Sequence, residues 1–382
     1  MDFESLFDIP IDDLHTPCYL TDARLLQKNT ALLKQIQQRT GCKILLAQKA
    51  FSMFSAYPLI RDDLAGTTAS GLFEAKLGRE HFGKEVHVFS PAYTQEDFTQ
   101  LLKLCDHIVF NSFGQWKKYR QQVQDATRNI SCGIRINPGY AEVETDLYNP
   151  CISGSRMGVP LEQMEDDFAG LDGIHFHTMC EQNSDVLERT LDHMLPQFDK
   201  WLKRCKWVNF GGGHHITRPD YDVERLVRCI ERVRDTYGVQ VYLEPGEAVA
   251  LNAGYLVATV LDVVHNGMDI AILDVSAACH MPDVLEMPYR PHILYSGTAG
   301  EKAYTYRLAG NTCLAGDVIG DYSFDHQLQS GEKLVFCDMA IYSMVKNNTF
   351  NGVPLPDIAL YQNGHIDLVK RFGYADFEGR LS

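Results

Sequence analysis

The chain has 382 residues, of which 45% are hydrophobic and 22% are charged, a composition typical of a folded globular protein. Asp and Glu outnumber Lys and Arg by 50 to 35, and the formal charge of −15 opposes binding to nucleic acid or to an anionic membrane. No apolar run in the sequence approaches the length of a membrane span.

The N-terminal segment and the cysteines both bear on the compartment. The first eight residues carry acids and no basic run, which is not the pattern of a secretory signal. The eleven cysteines are scattered and form no CxxC pair, as is typical of reduced thiols. We therefore expect a cytoplasmic protein, whose acidic charge either serves solubility or attracts cationic small molecules.

Short apolar strands alternate with helix-like segments through the first two thirds of the chain. The predicted strands are 43–47, 86–89, 107–110, 132–136, 173–176, 207–210 and 239–243, and the predicted helices include 23–40, 71–81, 113–126, 186–202 and 222–237. This alternation indicates right-handed βαβ units and a parallel sheet. Seven or eight units over roughly 230 residues favour an α/β fold of the (β/α)₈ barrel type over a doubly wound sheet.

The pattern changes after about residue 250, where strands and turns replace helices. The predicted strands are 250–265, 269–275, 303–308, 333–336, 358–362 and 365–371, which indicates a C-terminal all-β domain. Residues 16–20 form a further strand-like segment that is able to pair with this domain. We expect a barrel at 20–250, and a β domain formed by 1–19 together with 251–382.

Lys49 closes the apolar run that contains the first predicted strand, Leu45-Leu46-Ala47-Gln48-Lys49-Ala50-Phe51. Burial disfavours a charged ammonium, so a lysine in such a run is paired, extends to solvent, or is kept as a neutral amine. A neutral amine reacts with carbonyl groups, including the aldehyde of pyridoxal phosphate. The segment alone leaves these alternatives open.

Other unusual residues follow later barrel strands, where a barrel of this type collects its functional groups. A glycine run at 211–213 is suited to bind an anion through backbone amides, or is a plain turn. Glu244 is suited to pair with a protonated pyridine nitrogen, or is a surface acid. His177 either stacks on a planar ring or is an ordinary histidine. The pair His214-His215 lacks a third ligand at suitable spacing, so we predict no metal site.

Two residues of the β domain are further candidates for chemistry. Cys313 lies in a loop that contains Gly and Asp, where a thiol is accessible enough to act as an acid. The phenol of Tyr342 is able to donate a hydrogen bond to a phosphate. Each of them alone is equally compatible with a structural role.

Taken in order, these segments resemble the pyridoxal-phosphate decarboxylases of the alanine-racemase-like fold, a group that includes ornithine, diaminopimelate and carboxynorspermidine decarboxylases. The resemblance runs from Thr16-Pro17 to Phe350-Asn351-Gly352, nearly the whole chain. It implies a homodimer with shared active sites and pyridoxal 5'-phosphate as the cofactor.

The resemblance also implies a role for each motif. Lys49 corresponds to the lysine that binds the cofactor covalently, His177 to the residue stacked on the cofactor ring, and Glu244 to the partner of the pyridine nitrogen. The phosphate loop corresponds to Gly211, Gly212 and Gly213. In the β domain, Cys313 corresponds to the thiol that acts as proton donor in the neighbouring subunit's site, and Tyr342 to a phosphate-binding tyrosine.

Several positions depart from the ornithine and diaminopimelate enzymes. Those relatives usually have Glu-Pro-Gly-Arg where this chain ends the motif with Glu247, and they carry an acid where Leu314 follows Cys313. Many of them have Asn at the position of Phe51. Together with the segment 274–286, these departures most resemble carboxynorspermidine decarboxylases.

That resemblance implies a cationic substrate, carboxynorspermidine or carboxyspermidine, which is decarboxylated to norspermidine or spermidine in polyamine biosynthesis. Its distal amines need acids along the pocket. We expect Glu247, Asp283 and Asp274 to supply these acids.

Other functions remain open. The protein is alternatively a diaminopimelate or other basic amino-acid decarboxylase of the same fold, although Glu247 disfavours a substrate with a second carboxylate. A racemase fits the cysteine loop less well. A catalytically silent, polyamine-binding homologue is a further alternative, and the presence of Lys49 and Cys313 argues against it.

Overall fold

The computed structural model describes residues 3–287 and 289–382. Met1 and Asp2, which begin the acidic N-terminal segment, lie outside the described residues. The chain divides into two compact units. One comprises Gln27–Val249, and we call it the barrel unit. The other, the β unit, joins the N-terminal segment up to Leu26 with Ala250–Ser382.

The strands are numbered along the chain. They are β1 (Cys18–Asp22), β2 (Lys43–Ala47), β3 (Gly66–Ala69), β4 (Glu85–Phe89), β5 (His107–Phe110), β6 (Ser131–Asn137), β7 (Val159–Pro160), β8 (Gly173–His175), β9 (Trp207–Asn209), β10 (Gln240–Leu243), β11 (Gly254–His265), β12 (Asp269–Leu273), β13 (Gly297–Thr298), β14 (Tyr304–Ala309), β15 (Val318–Phe324), β16 (Lys333–Cys337), β17 (Asp357–Gln362) and β18 (His365–Lys370).

The α-helices are α1 (Phe3–Leu6), α2 (Ala23–Thr40), α3 (Tyr57–Ile60), α4 (Leu72–Leu77), α5 (Gln95–Leu104), α6 (Phe113–Gln124), α7 (Ser184–Leu202), α8 (Val223–Tyr237), α9 (Glu247–Ala250), α10 (Ala277–His280), α11 (Asp283–Glu286), α12 (Ser343–Lys346) and α13 (Tyr374–Glu378). In the described part of the chain, no helix combines the length and apolar character needed to cross a bilayer.

The barrel unit contains a closed parallel barrel. Its strands follow the order β5-β4-β3-β2-β10-β9-β8-β6, and pairing of β5 with β6 closes the ring. All of these pairings are parallel, and β7 adds a two-residue extension to β6. The prediction of a (β/α)₈ barrel is therefore confirmed. Leu45, Val109, Trp207 and Tyr242, from four different strands, form one buried cluster within it.

The sequence did not predict strand β3 or helix α5 of the barrel unit. Strand β3 consists of Gly66-Thr67-Thr68-Ala69, which lacks the apolar run expected of a buried strand. Helix α5 follows Thr94, whose hydroxyl accepts a hydrogen bond from the Asp97 amide and caps the helix. Because β3 was not predicted, the later strands stand one place further along the barrel than the prediction implied. Arg135 lies in the fifth barrel strand instead of the fourth, and His177 follows the sixth instead of the fifth.

The β unit contains a mixed sheet with the order β13-β15-β14-β12-β11-β1-β17-β18, and β16 pairs with β11. The predicted pairing of the N-terminal strand-like segment is confirmed, since β1 is antiparallel to β11 and parallel to β17. After residue 277 the described helices are only four or five residues long. The predicted C-terminal β domain is thus confirmed as a fold class.

Candidate active site

Lys49 lies in a turn just after β2, at the C-terminal end of the barrel strands. The preceding Gln48 is fully buried, and it anchors the turn by donating to the Glu74 carbonyl and accepting from the Tyr57 hydroxyl at 3.2 Å. Lys49 lines an open cleft within the barrel unit. The other residues that line it are Ala47, Thr68, Ala69, Ser70, Phe89, Arg135, His175, His177 and Glu244.

The Lys49 side chain is exposed to this cleft, although its neighbours Gln48, Ala50 and Phe51 are buried. The apolar run therefore predicted correctly that the residues around Lys49 are buried. Its prediction that Lys49 itself is mostly buried was wrong. Desolvation by the cleft walls lowers the pKa of Lys49, and the positive charge of Arg135 lowers it further, whereas Glu244 opposes these effects. A lowered pKa makes the neutral, nucleophilic amine more available.

Glu244 follows β10 and is buried. Its Oε1 accepts a hydrogen bond from Asn209 Nδ2 at 2.7 Å, and its Oε2 lies 3.3 Å from His175 Nε2. Burial alone would raise the pKa of Glu244, but the interactions with His175 and Asn209 bring it to about 2. Burial lowers the pKa of His175, and the charge of Glu244 opposes that effect. Glu244 is thus an ionised carboxylate at neutral pH.

His177 packs against the glycine run. Its Nδ1 accepts a hydrogen bond from the Gly212 amide at 3.0 Å, which requires Nδ1 to be unprotonated. Burial, followed by the charges of Lys49 and Arg135, holds the pKa of His177 well below its usual range. A Cβ atom at Gly212 would lie 2.6 Å from the Glu244 carbonyl oxygen and 3.1 Å from His177 Cε1. Only glycine permits this close approach.

The amides of the glycine run have different partners. Gly211 donates to Asn209 Oδ1 at 2.8 Å, and Gly212 donates to His177 Nδ1. Among the described residues no acceptor is found for the Gly213 amide. Gly211 and Gly213 have φ angles of 69° and 83°, which favour glycine. An anion at this loop would therefore meet the amide of Gly213 rather than all three.

Arg135 provides a fixed positive charge in the cleft, a role the sequence analysis did not assign. Its Nη2 donates to the His177 carbonyl at 3.2 Å, and its guanidinium lies 4.6 Å from the centre of the Phe89 ring. Burial lowers the pKa of Arg135 to about 10, so the group stays charged. Within residues 3–287 and 289–382, no carboxylate forms an ion pair with it. The sequence signal for a functional role of Arg135 was its position as a lone arginine within the apolar strand predicted at 132–136.

Two acids besides Glu244 lie within electrostatic range of Lys49. Glu247 begins α9, is partly buried, and also influences the pKa of the Cys180 thiol. Glu74 accepts a hydrogen bond from the Ser70 amide at 2.6 Å, and burial raises its pKa. Glu74 was not predicted, because it follows the strand that the sequence analysis missed. Glu244 is thus the carboxylate among the residues that line the cleft, and Glu74 and Glu247 add negative charge that acts on Lys49.

The β unit holds the other predicted residues. Cys313 is exposed, and its amide donates to Asn351 Oδ1 at 2.6 Å. The same loop is fixed by Thr312, whose hydroxyl donates to Asp317 Oδ2 at 2.6 Å. Tyr342 is partly buried and has a φ angle of 54°, an uncommon backbone conformation for a bulky residue.

The two predicted amine-binding acids of the β unit already have donors. Asp283 accepts a hydrogen bond from the Lys346 ammonium, which also contacts Glu286 at 2.9 Å. Asp274 accepts from the Thr16 hydroxyl at 2.6 Å and from the Thr259 amide at 2.7 Å. Both carboxylate oxygens of Asp274 are therefore used within the sheet.

A third group of residues has the composition of a metal site but not its geometry. Glu85, His87 and His107 place their ligand atoms within 4.8 Å of one another. The two imidazole rings stack at 3.9 Å and are nearly parallel, so their in-plane lone pairs do not converge on one ion. Glu85 is also paired with the Lys43 ammonium, which opposes a second cation.

The family model for pyridoxal-dependent decarboxylases, described as their C-terminal sheet domain, matches residues 18–340. The chain belongs to the pyridoxal-dependent decarboxylase family. It is 42% identical to the carboxynorspermidine/carboxyspermidine decarboxylase of Campylobacter jejuni, over 97% of this chain and 99% of the relative. It is also 42% identical to the carboxyaminopropylagmatine decarboxylase of Synechocystis, over 97% of this chain and 96% of the relative.

A solved structure supports the same assignment. The crystal structure of Campylobacter jejuni carboxynorspermidine decarboxylase, complexed with norspermidine, matches with a TM-score of 0.89 and 41% identity, covering 96% of this chain and 100% of that one. By contrast, the diaminopimelate decarboxylase of Escherichia coli is 21% identical over 96% of this chain. The predicted resemblance to the pyridoxal-phosphate decarboxylases is confirmed.

The cleft of this pyridoxal-dependent decarboxylase fits its cofactor chemically. The cofactor carries an aldehyde, a pyridine nitrogen and a phosphate. The cleft offers an amine with a lowered pKa at Lys49 and an ionised carboxylate at Glu244. The Gly213 amide is left over for the phosphate, since the two preceding amides, of Gly211 and Gly212, donate to Asn209 and His177.

Proposed function

We propose that this protein decarboxylates a carboxylated polyamine, with carboxynorspermidine or carboxyspermidine as its preferred substrate, and that it does so with pyridoxal 5'-phosphate. The observation that carries the proposal is the acid Glu247 at the start of α9, whose negative charge acts on Lys49 together with those of Glu244 and Glu74. A carboxylate in this place favours substrates with distal amines over those with a second carboxylate.

Each residue of the barrel cleft has a distinct task in this proposal. When bound, the cofactor provides the electron sink that accepts the electrons left on Cα as CO₂ departs. Lys49 supplies the amine that attaches the cofactor, and it returns to release the product. Glu244 stays ionised and holds a proton on the pyridine nitrogen. His177 supports one face of the ring, and the loop ending at Gly213 holds the phosphate. Tyr342 of the β unit is proposed as a further phosphate-binding residue.

The proton donor in the proposal is Cys313, acting from the β unit of a second copy in a homodimer. Its thiol delivers a proton to Cα after CO₂ has left. The exposure of the Cys313 loop supports this arrangement, since neighbouring Leu314 and Phe350 are 44% and 48% exposed. These apolar side chains next to Cys313 would be buried if a second copy covered the loop.

Glu247 and Asp283 are the acids proposed for the distal amines. The ammonium of Lys346 lies between Asp283 and Glu286. Because these two carboxylates already bind a primary amine, the role proposed for Asp283 is supported. A substrate amine would compete with Lys346 for the same carboxylates. Asp274 remains a weaker candidate, because Thr16 and Thr259 already occupy its oxygens.

A second substrate is favoured by one specific observation. The Synechocystis relative, at the same 42% identity, is named for carboxyaminopropylagmatine, which ends in a guanidinium instead of an amine. Carboxylates such as Glu247 bind either cation, and guanidinium binds them in bidentate geometry.

The proposed cytoplasmic location is supported by the eleven cysteines, all of which are free thiols.

The test is CO₂ release from a substrate panel by the purified protein with pyridoxal 5'-phosphate. The panel contains carboxynorspermidine, carboxyspermidine, carboxyaminopropylagmatine, diaminopimelate and ornithine. We expect kcat/KM to be highest for one of the first two, and at least about 100-fold above diaminopimelate. The highest value for carboxyaminopropylagmatine would establish the second candidate, and the highest value for diaminopimelate or ornithine would overturn both. Polyamine binding without any CO₂ release would indicate a silent homologue.

A further inference from the structure

Asn209, the last residue of β9, is fully buried and uses both ends of its side-chain amide. Its Nδ2 donates to Glu244 Oε1 at 2.7 Å, and its Oδ1 accepts from the Gly211 amide at 2.8 Å. The orientation of the amide is fixed by its partners, because an ionised carboxylate only accepts and a backbone N–H only donates. Asn209 therefore contacts the glycine run and the carboxylate at the same time.

These contacts form a closed ring of three hydrogen bonds. The Glu244 amide donates to the Gly211 carbonyl at 2.8 Å, the Gly211 amide donates to Asn209, and Asn209 donates back to Glu244. In a buried, low-dielectric setting each bond is strengthened, and each lost partner leaves an unsatisfied polar group. The ring thus ties the position of the glycine run to that of the carboxylate.

We propose that Asn209 is a positioning residue that holds both ends of the cofactor site, Glu244 at the ring end and the glycine run at the phosphate end. The inference rests on the proposed function for the identity of the ligand. Asn209 itself touches neither the substrate nor the reacting atoms. It acts through Glu244, whose charge it stabilises, and through Gly211, whose position sets that of the Gly213 amide two residues later.

Two substitutions separate the two ends. Asn209→Ala removes both hydrogen bonds. Asn209→Asp keeps an oxygen that accepts from the Gly211 amide but replaces the donor to Glu244 by a second carboxylate. A role confined to packing does not predict this split, since Asp and Asn have nearly the same shape.

The chain offers a matched control at the end of another barrel strand. Asn137, the last residue of β6, accepts from the Gly139 amide two residues later at 3.0 Å, the same local arrangement as Asn209 with Gly211. Its Nδ2, however, donates to the Pro150 carbonyl at 3.2 Å and not to a carboxylate. Asn137→Ala therefore removes a comparable local bond without touching Glu244.

The experiment measures binding of three probes to the full-length protein freed of cofactor: pyridoxal 5'-phosphate, pyridoxal and inorganic phosphate. We expect Asn209→Ala to weaken pyridoxal binding by about tenfold or more and phosphate binding by about two- to tenfold. For Asn209→Asp we expect weaker pyridoxal binding and phosphate binding within about twofold of the wild type. Asn137→Ala is expected to change neither.

Loss at one end only with Asn209→Ala, or no loss at either end, would overturn the inference. If Asn209→Ala does not fold, Asn209→Asp decides alone: equal loss at both ends, or none at the ring end, contradicts the proposed role. Wild-type protein that binds no pyridoxal 5'-phosphate would overturn the proposed function itself. Normal wild-type binding with unaffected variants would overturn only this inference.

Discussion

The barrel unit and the β unit hold their predicted functional residues in different ways. In the barrel, hydrogen bonds join the candidates to one another: His177 to Gly212, and Glu244 to Gly211 through Asn209. In the β unit, Cys313 is exposed, while Asp274 and Asp283 are held by their own neighbours. The difference lies in what each candidate contacts: those of the barrel unit bind one another, whereas those of the β unit are exposed or bind other residues of the β unit.

The topology of the two units explains the contrast. In a closed parallel barrel all strands end on the same side, so residues that follow different strands converge on one cleft. The mixed sheet of the β unit runs its strands in both directions, so its candidate residues are presented at loops and edges. The barrel therefore supplies the partners that keep Glu244 ionised, whereas Cys313 lies in an exposed loop of the β unit.

The largest expected effect comes from Lys49→Ala, which tests the barrel side of the comparison. We expect kcat to fall by at least about 1000-fold, because the variant lacks the amine that attaches the cofactor and releases the product. The visible absorbance of the lysine-bound cofactor should disappear as well. Lys43→Ala is the control, since Lys43 begins strand β2, the strand that precedes Lys49, and pairs with Glu85. An active Lys49→Ala enzyme with normal absorbance would refute the proposal.

Glu247→Gln tests whether the barrel also contributes to the choice of substrate. We expect KM for carboxynorspermidine to rise by about 10- to 100-fold, the loss of one charge-assisted hydrogen bond, while cofactor binding stays unchanged. Steady-state kinetics with a parallel cofactor titration measures both. Asp220→Asn removes an exposed acid that pairs with Arg218 and serves as the control. An unchanged KM in Glu247→Gln would exclude Glu247 from amine recognition.

Asp274→Asn and Asp283→Asn sharpen the comparison within the β unit. Asp274 joins Thr16 to Thr259, so its substitution should lower the free energy of unfolding by about 1–3 kcal/mol and leave KM unchanged. Asp283→Asn should instead raise KM. Urea unfolding and kinetics on both variants distinguish the roles, and a raised KM in Asp274→Asn alone would reverse the assignment.

A smaller effect is expected from acid, and it differs between the units. Burial, with a contribution from His87, lowers the pKa of His107 in the barrel to about 3, and burial lowers that of His280 in the β unit to about 4. Below an unfolded-state pKa of about 6.5, the unfolded chain binds more protons than the folded one, so stability falls as the pH drops.

Urea midpoints at pH 7 and pH 5 measure this loss. His107→Gln and His280→Gln should each reduce the difference between the two midpoints, because each removes one histidine that must stay neutral in the fold. A wild-type midpoint that does not change between pH 7 and pH 5 would contradict the account of these buried rings.

The sequence predicted the barrel, the β domain and the order of the site motifs, because apolar runs and turn residues are local signals. It missed β3, in which Gly66 and two threonines replace an apolar run. It also gave no role to Asn209, His175 or Arg135. Their roles depend on which strands are neighbours in the closed barrel. Asp274 shows the same limit, since its partner Thr16 lies 258 positions away.

The most direct test of the contrast between the units mixes two inactive variants, Lys49→Ala and Cys313→Ala, under conditions of subunit exchange. If the barrel of one copy works with the β unit of the other, each mixed dimer contains one complete site. We expect activity to recover to about a quarter of the wild-type value, since about half of the dimers are mixed and each has one working site of two. No recovery, despite mixed dimers detected by native mass spectrometry, would contradict the account.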